Sequence, residues 1–328
     1  MSRKRYALLD KAVYLAAKLF FGFCRMAPRG VAMAAGSMIG RLFWMALRLE
    51  RRRLAVTLDN LRNLFSGQSD DQLRPMALAT ARHFGRFLAE SARVPLLTRE
   101  TLGGLVDFEG LEHYAAAHAQ GKGVMIATAH FGHFELAACA LAMMGYPVYS
   151  VIREVDNKDL DLLLDNLRFS SGLGVIKKER AARDILGHLR HGDTVTVHID
   201  LNASFNLIYV PFFGRYASTF TTPALMSMRT GAPLLSMLCF RDGANDRYHV
   251  KIYPPVAITP TGDMGADERQ IIMALNERLE DAIRQAPEQW FWFHRRWKKE
   301  PTGEEMEQIR KQLESIASAR GKADAGRP

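Results

Sequence analysis

Val124-Met125-Ile126-Ala127-Thr128-Ala129-His130-Phe131-Gly132-His133-Phe134-Glu135 is the stretch that decides how this chain folds. Its first four residues form a short apolar run, the composition of a strand buried on both faces. From Phe134 to Met144 an alanine-rich apolar run has the length and texture of a helix. His130 therefore falls at a strand-to-helix corner, where open α/β sheets place their ligands.

The same alternation continues downstream. Val148–Ile152, Val175-Ile176 and Thr194–Ile199 read as strands, and Leu160–Phe169, Ala181–Leu189 and Thr222–Arg229 as helices. Leu234–Phe240 and Tyr248–Tyr253, joined by Arg241-Asp242-Gly243-Ala244-Asn245-Asp246, predict a hairpin. Glu268–Arg284 predicts a late helix. Upstream, Arg51 to about Leu97 is helical in pattern, broken at Ser66-Gly67, with Ser69-Asp70-Asp71 placed to cap the run from Leu73 to Val94. The expected class is α/β, with a mixed, mainly parallel sheet flanked by helices.

Composition narrows the function classes. The 328 residues are 48% hydrophobic and 24% charged, which excludes a largely disordered chain. Cys24, Cys139 and Cys239 stand far apart with no CxxC, so neither a disulfide scaffold nor a cysteine zinc site is indicated. The net charge of +9 is unevenly placed. Residues 1–53 hold twelve basic and two acidic residues, and the remainder holds 32 basic and 33 acidic. A nucleic-acid enzyme spreads basic charge along its groove, so no nucleic-acid partner is expected.

Within residues 1–53, Lys4, Lys11, Lys18 and Arg25 recur every seven residues and fall on one helical stripe amid apolar and aromatic residues. No charge-free run approaches the roughly 18 residues of a spanning helix. The pattern predicts a basic amphipathic segment lying on a membrane surface with anionic lipids, and not a cleaved signal peptide. The competing readings are a helix packed on its own domain and a membrane span with a snorkelling Lys18. Beyond Pro301 the charged, Ala/Gly-rich residues 301–328 read as a frayed helix or tail.

The candidate chemistry centres on His130 and Glu135. Five residues apart on one continuous helix, they would point about 140° apart. They meet only if His130 lies in the turn before the helix. A carboxylate accepting from one imidazole nitrogen fixes the tautomer, and the other nitrogen can then take a proton from a hydroxyl. His130 and His133 do not show HExxH spacing, and no obvious Asp or Cys ligand accompanies them, so no metal and no other cofactor is expected.

Taken with its neighbours, this motif resembles the bacterial late acyltransferases of lipid A biosynthesis, within the lysophospholipid acyltransferase superfamily. The signature is His, four residues, then Asp or Glu: here His130 and Glu135. The resemblance runs from about Arg51 to Lys299. It includes Asn60-Leu61, Phe108-Glu109-Gly110-Leu111-Glu112-His113, Arg153, Asn157, Leu160-Asp161 and Arg168. It continues through Leu189-Arg190-His191-Gly192-Asp193, Asp200, Val210-Pro211-Phe212-Phe213-Gly214, Thr230-Gly231-Ala232-Pro233 and the block from Pro287 to Trp297. The sequence departs from the family at His133-Phe134, where Asn-Trp is common, and at Leu201, where Gln commonly follows the strand-end acid.

The resemblance implies an acyltransferase domain over residues 54–300, facing the cytoplasm at the inner membrane. It implies a lipid acceptor and acyl-carrier protein as donor, with acyl-CoA the alternative. His130 and Glu135 are the expected catalytic pair. Arg153 and Arg168 are candidate phosphate-binding residues, or ordinary partners of Glu154, Asp161 or Asp165. Asp200 ends a strand and is expected to orient a sugar hydroxyl or Arg153, or to cap a turn. Phe212, Phe213 and Gly214 are expected either to wall an acyl slot or to be plain core. The Trp290–Trp297 block, rich in aromatics and cations, suits a membrane interface.

Overall fold

The computed structural model describes residues 3–178, 181–243 and 246–325. An all-helical N-terminal portion comprises α1 (Arg3–Met26), α2 (Arg29–Leu49), α3 (Arg51–Arg62), α4 (Asp70–Arg93) and the short α5 (Arg99–Leu102). The α/β portion follows as β1 (Val106–Glu109), α6 (Leu111–His118), β2 (Val124–Thr128), α7 (Phe134–Met143), β3 (Val148–Ile152), α8 (Lys158–Phe169), β4 (Gly174–Lys177), α9 (Ala181–His191) and β5 (Thr194–His198). Then come β6 (Leu207–Phe212), β7 (Arg215–Phe220), α10 (Thr222–Thr230), β8 (Leu234–Asp242), β9 (Arg247–Ile252), α11 (Met264–Gln285) and α12 (Gly303–Ala325).

Seven strands form one sheet in the order β1-β9-β8-β2-β5-β3-β4. Every pairing is parallel except the β8–β9 hairpin. The mixed, mainly parallel sheet flanked by helices is therefore the expected class, and its central strand β2 is buried at all five positions. Alternate β2 side chains serve opposite faces. Val124 and Ile126 join a core with α7, while Met125 and Ala127 join another with α9, α10 and α11. Sequence patterning does not find β1, nor the separate two-stranded sheet of β6 and β7.

The helices start where their caps predict. Ser69 forms a capping box with Gln72, whose Oε1 accepts from the Ser69 amide at 2.8 Å. Asn157 caps α8 by accepting from Leu160 N at 3.1 Å. α2 and α4 pack backbone to backbone, because a Cβ added at Gly40 would lie 2.2 Å from Ala81 O, and one at Gly85 would lie 2.0 Å from Gly36 O.

The N-terminal helices pack on the body along one side and leave an apolar side exposed. Phe21, Cys24, Ala32 and Met33 are buried with Ala89, Ala92 and Leu167, so α1 and α2 pack on the body. Leu8, Leu9, Leu15, Leu19, Met38, Leu42 and Met45 remain exposed on the other side. Of the expected basic stripe, Lys11 and Lys18 are exposed, but Arg25 turns inward and donates to Ala92 O at 2.9 Å. The Lys4 side chain lies outside the described residues. Arg29–Leu49 is long and apolar enough to cross a membrane by length and composition, with 39% of its apolar window buried within the protein. The C-terminal segment is a docked helix over most of its length: Ile309 and Ile316 are buried, and Gln312 accepts from Arg269 Nε at 2.8 Å.

Candidate active site

Two parallel strands in register create the site. β2 and β5 pair with Thr128 opposite His198. His130 and Asp200, each two residues further on, leave the sheet side by side. The Asp200 carboxylate accepts from the His130 amide and meets His130 Nδ1, both at 2.9 Å, and accepts from Trp290 Nε1 at 2.9 Å. Asp200 is buried, while the His130 side chain keeps 26% of its surface exposed. Burial raises the Asp200 carboxyl, but the neighbouring His130 charge and the hydrogen bonds from His130 and Trp290 outweigh it and hold it below the usual carboxylate range. An ionised partner at Nδ1 places the imidazole proton there and leaves Nε2 as the basic nitrogen. His130 Nε2 has no hydrogen-bond partner among the described residues.

The corner is pinned by the end of the chain's catalytic portion. Gly132 has φ 57°, and a Cβ there would sit 1.5 Å from Cys239 O, so the close approach requires glycine. Gly132 N donates to Gln289 O at 2.8 Å, and Phe291 N donates to His130 O at 3.1 Å. The Gln289 side chain clamps Arg241 by accepting from its amide at 2.7 Å and donating to its carbonyl at 2.9 Å. His133 has a structural task. Its Nδ1 accepts from Leu136 N at 3.1 Å and so caps α7. Burial, with His83 nearby, pushes its imidazole down to about 3.

Glu135 does not meet His130 as the spacing argument expects. Its carboxylate takes Arg168 Nε at 3.0 Å and Nη2 at 2.6 Å, in a two-pronged ion pair. Arg168 Nη1 continues to Asp165 at 2.9 Å, and Lys177 Nζ lies 2.8 Å from both Asp165 and Asp161. Burial disfavours the Arg168 charge, but Glu135 and Asp165 outweigh it and hold the guanidinium above its ordinary value. Arg168 is thus the partner of two carboxylates, which leaves it little capacity for a phosphate. The physical reason for the change is β5: it delivers Asp200 to Nδ1, and α8 delivers Arg168 to Glu135.

The other expected positions separate. Arg153 is exposed just beyond β3, with no ion pair among the described residues. Phe212 is wholly buried against Trp290 and Trp297, with ring centroids 5.4 and 5.7 Å away. Phe213 and Gly214, at φ 50° and 75°, make the two-residue turn between β6 and β7. None of the three borders the narrow cavity between β2, β3, β5 and α7; Phe212 packs in the aromatic core, and Phe213 and Gly214 form the turn. That cavity is bordered by Thr128, Phe134, Glu135, Ser150, Thr196 and His198, among others. Trp290, Trp292 and Trp297 are buried, and so is Arg296, which donates to Leu201 O, Ser218 O and Thr219 Oγ1. These buried members of the block form the floor of the site, while Arg295 and Lys298 stay exposed. Asn60 ties α3 to it by donating to Trp292 O at 2.8 Å.

Aromatic rings surround the exposed edge of His130. The centroids of His198, Phe134 and Phe291 lie 4.4, 5.1 and 6.2 Å from its ring. Burial, reinforced by His130, pushes His198 down to about 3, so it sits beside His130 as a neutral ring. Trp290, His198 and Gln289 are site residues that sequence reasoning missed, because their roles arise from contacts across the sheet. No group of three or more His, Cys, Asp or Glu among the described residues is arranged to hold a metal. The arrangement suits a general base whose orientation is fixed through Nδ1 and whose second nitrogen is free of protein partners among the described residues.

The family pattern described as bacterial lipid A biosynthesis acyltransferase matches residues 3–299, so the match reaches into α1. The chain is 27% identical over 279 residues to a lipid A biosynthesis palmitoleoyltransferase of Escherichia coli (strain K12), covering 84% of this chain and 88% of that protein. It is 26% identical over 278 residues to the lauroyltransferase of the same strain, with the same two coverages, 84% and 88%. A phosphatidylinositol mannoside acyltransferase of Mycobacterium tuberculosis (strain ATCC 25618 / H37Rv) is 27% identical over 229 residues, 68% of this chain and 70% of that protein. With the strand-to-helix histidine, its buried acid partner and a family match over nearly the whole chain, this protein belongs to the bacterial lipid A biosynthesis acyltransferases.

Proposed function

We propose that the chain moves a fatty acyl group from an acyl thioester to a hydroxyl of a lipid A precursor or related glycolipid, at the cytoplasmic face of the inner membrane. The observation that carries the mechanism is the geometry of His130: Nδ1 is held by buried Asp200, while the side chain stays 26% exposed and Nε2 has no hydrogen-bond partner among the described residues. Nε2 takes the proton of the acceptor hydroxyl as its oxygen attacks the thioester carbonyl. The tetrahedral intermediate then collapses, the carbon–sulfur bond breaks, and the imidazolium returns the proton to the departing thiolate. Asp200 stabilises the imidazolium without itself being protonated. Glu135 positions Arg168 beside the cavity, and the pair keeps two charges there compensated.

Acyl-carrier protein is the proposed donor carrier, with acyl-CoA the competitor. An acidic carrier would be steered by basic residues near the mouth, among them the exposed Arg153. A second acceptor reading is a mannosylated phospholipid, favoured by a relative of that name at the same 27% identity. Lipid mass spectrometry of cells with and without the gene separates the two readings. Loss of one acyl chain from lipid A species supports the first, loss from a phosphorylated mannolipid supports the second, and no change in any acylated lipid contradicts both. Thiol release by purified protein with each donor identifies the carrier.

A further inference from the structure

Away from His130, a cavity of about 280 Å³ opens between α2 and α4. α2 contributes Gly30, Met33, Ala34, Ser37 and Arg41, and α4 contributes Arg82 and Arg86. No carboxylate of the described residues lines it. Arg82 Nε donates to Ser37 Oγ at 3.0 Å, which fixes its guanidinium at the rim. Arg86 meets Asp246 at 3.7 Å, but that carboxylate lies 3.2 Å from Arg29, and the Arg86 Nε is buried with no hydrogen-bond partner. Arg41 is exposed, with no ion pair among the described residues. The backbone contact at Gly36, Gly40 and Gly85 brings arginines from two helices to one hollow. Asp246 serves Arg29 and the edge of Arg86, and the guanidinium groups of Arg41, Arg82 and Arg86 together suit an anion that accepts several N–H groups at once.

The surroundings say what carries that anion. At about 100° per residue, Gly30, Ala34, Ser37 and Arg41 share one line along α2. Val31, Met38, Leu42, Met45 and Leu49, all exposed, lie about a quarter-turn away. A basic hollow beside an exposed apolar stripe matches an amphiphile: a negatively charged headgroup in the hollow and hydrocarbon along the stripe. We propose that the α2–α4 hollow binds the phosphate of an anionic membrane phospholipid, a lipid distinct from donor and acceptor, and so fixes the enzyme's orientation on the bilayer. The proposal does not depend on which acyl transfer the enzyme performs.

The test uses full-length protein and vesicles of phosphatidylcholine with or without phosphatidylglycerol. R41Q/R82Q is compared with K11Q/K18Q, which removes the same charge from exposed positions on α1. At high salt the α1 variant is expected within about twofold of wild type, because exposed charges are screened. R41Q/R82Q is expected to bind phosphatidylglycerol vesicles about tenfold more weakly even there, the equivalent of a single charge-assisted hydrogen bond. R41K/R82K keeps the charge and loses the guanidinium fork, and is expected to fall between them. It also supplies the test if the glutamine variant fails to fold. Equal deficits for the α1 and hollow variants at high salt, or R41K/R82K binding like wild type, would overturn the proposal. So would a melting-temperature rise from inorganic phosphate equal to that from phosphatidylglycerol vesicles, which assigns the hollow to a free anion. Unchanged vesicle binding with a raised acceptor KM would assign it to the acceptor, with the same consequence.

Discussion

Asp200 accepts three hydrogen bonds while almost wholly buried, and that is where the chemistry of the site is set. Replacing it with Asn removes the charge that fixes the His130 tautomer. Asp200→Asn is therefore expected to cut thiol release by about 10² to 10⁴, as His130→Ala does. Purified folded variants with near-normal turnover would contradict this. Glu135→Ala is also expected to lose orders of magnitude, by a different route: it strips Arg168 of its two-pronged partner. A Lys at position 168 cannot restore that geometry, so Arg168→Lys should be nearly as impaired. His133→Asn should cost little turnover, because the Asn oxygen can accept from Leu136 N and keep the α7 cap. Total loss of activity with an intact fold would show that His133 does more than cap.

At the scale of elements, the sequence revealed each βα unit that carries its own local signal. β2 and α7 are contiguous apolar runs, and the β8–β9 hairpin has alternating flanks about a polar loop. β6 and β7 escaped because Pro211 and the positive-φ turn at Phe213-Gly214 disguise a hairpin as a loop. His130 was legible at its corner, but its partner was not. Glu135 was close in sequence, whereas Asp200 becomes a neighbour only when β5 pairs with β2, and strand order is not written in local pattern. The elements also bury three histidines as neutral rings. His83, His133 and His198 are each lowered to about 3, chiefly by burial. The unfolded chain takes up these protons near pH 6.5, and the folded chain does not until about pH 3. Between those limits the unfolded state binds more protons, so stability falls as pH falls. Each group contributes about 1.4 kcal/mol per pH unit well inside the window. Partly exposed His249, raised by Asp107 and Glu109, opposes this weakly. Urea midpoints from pH 7 to pH 4.5 should decline, and His133→Asn should flatten the decline. A midpoint that is flat or rising on acidification would contradict the buried-neutral reading.

At the scale of the whole molecule, charge and hydropathy singled out a basic, apolar N-terminal end but not its internal packing. Periodicity placed Arg25 with Lys11 and Lys18, while the fold turns it toward Ala92. Composition likewise suggested that the Trp290–Trp297 block belongs at an interface, and the fold buries its three tryptophans and Arg296 beneath the site while leaving Arg295 exposed. Exposed Lys11 and Lys18 should still tune attachment. Reversing both to Glu is expected to weaken binding to anionic vesicles at low salt by roughly 1 kcal/mol or more per residue, with little effect on neutral vesicles. Sedimentation unchanged from wild type would mean that these side chains face no lipid. The fold as a whole converges on one hydrogen bond, since the β2–β5 pairing, the Gly132 corner and the Trp290 floor all bring His130 Nδ1 to Asp200. Proton NMR of the imidazole N–H tests it directly. A downfield His130 ring resonance should appear in wild type and Glu135→Gln, vanish in His130→Ala, and move upfield in Asp200→Asn. A signal unchanged in Asp200→Asn and lost in Glu135→Gln would contradict the account.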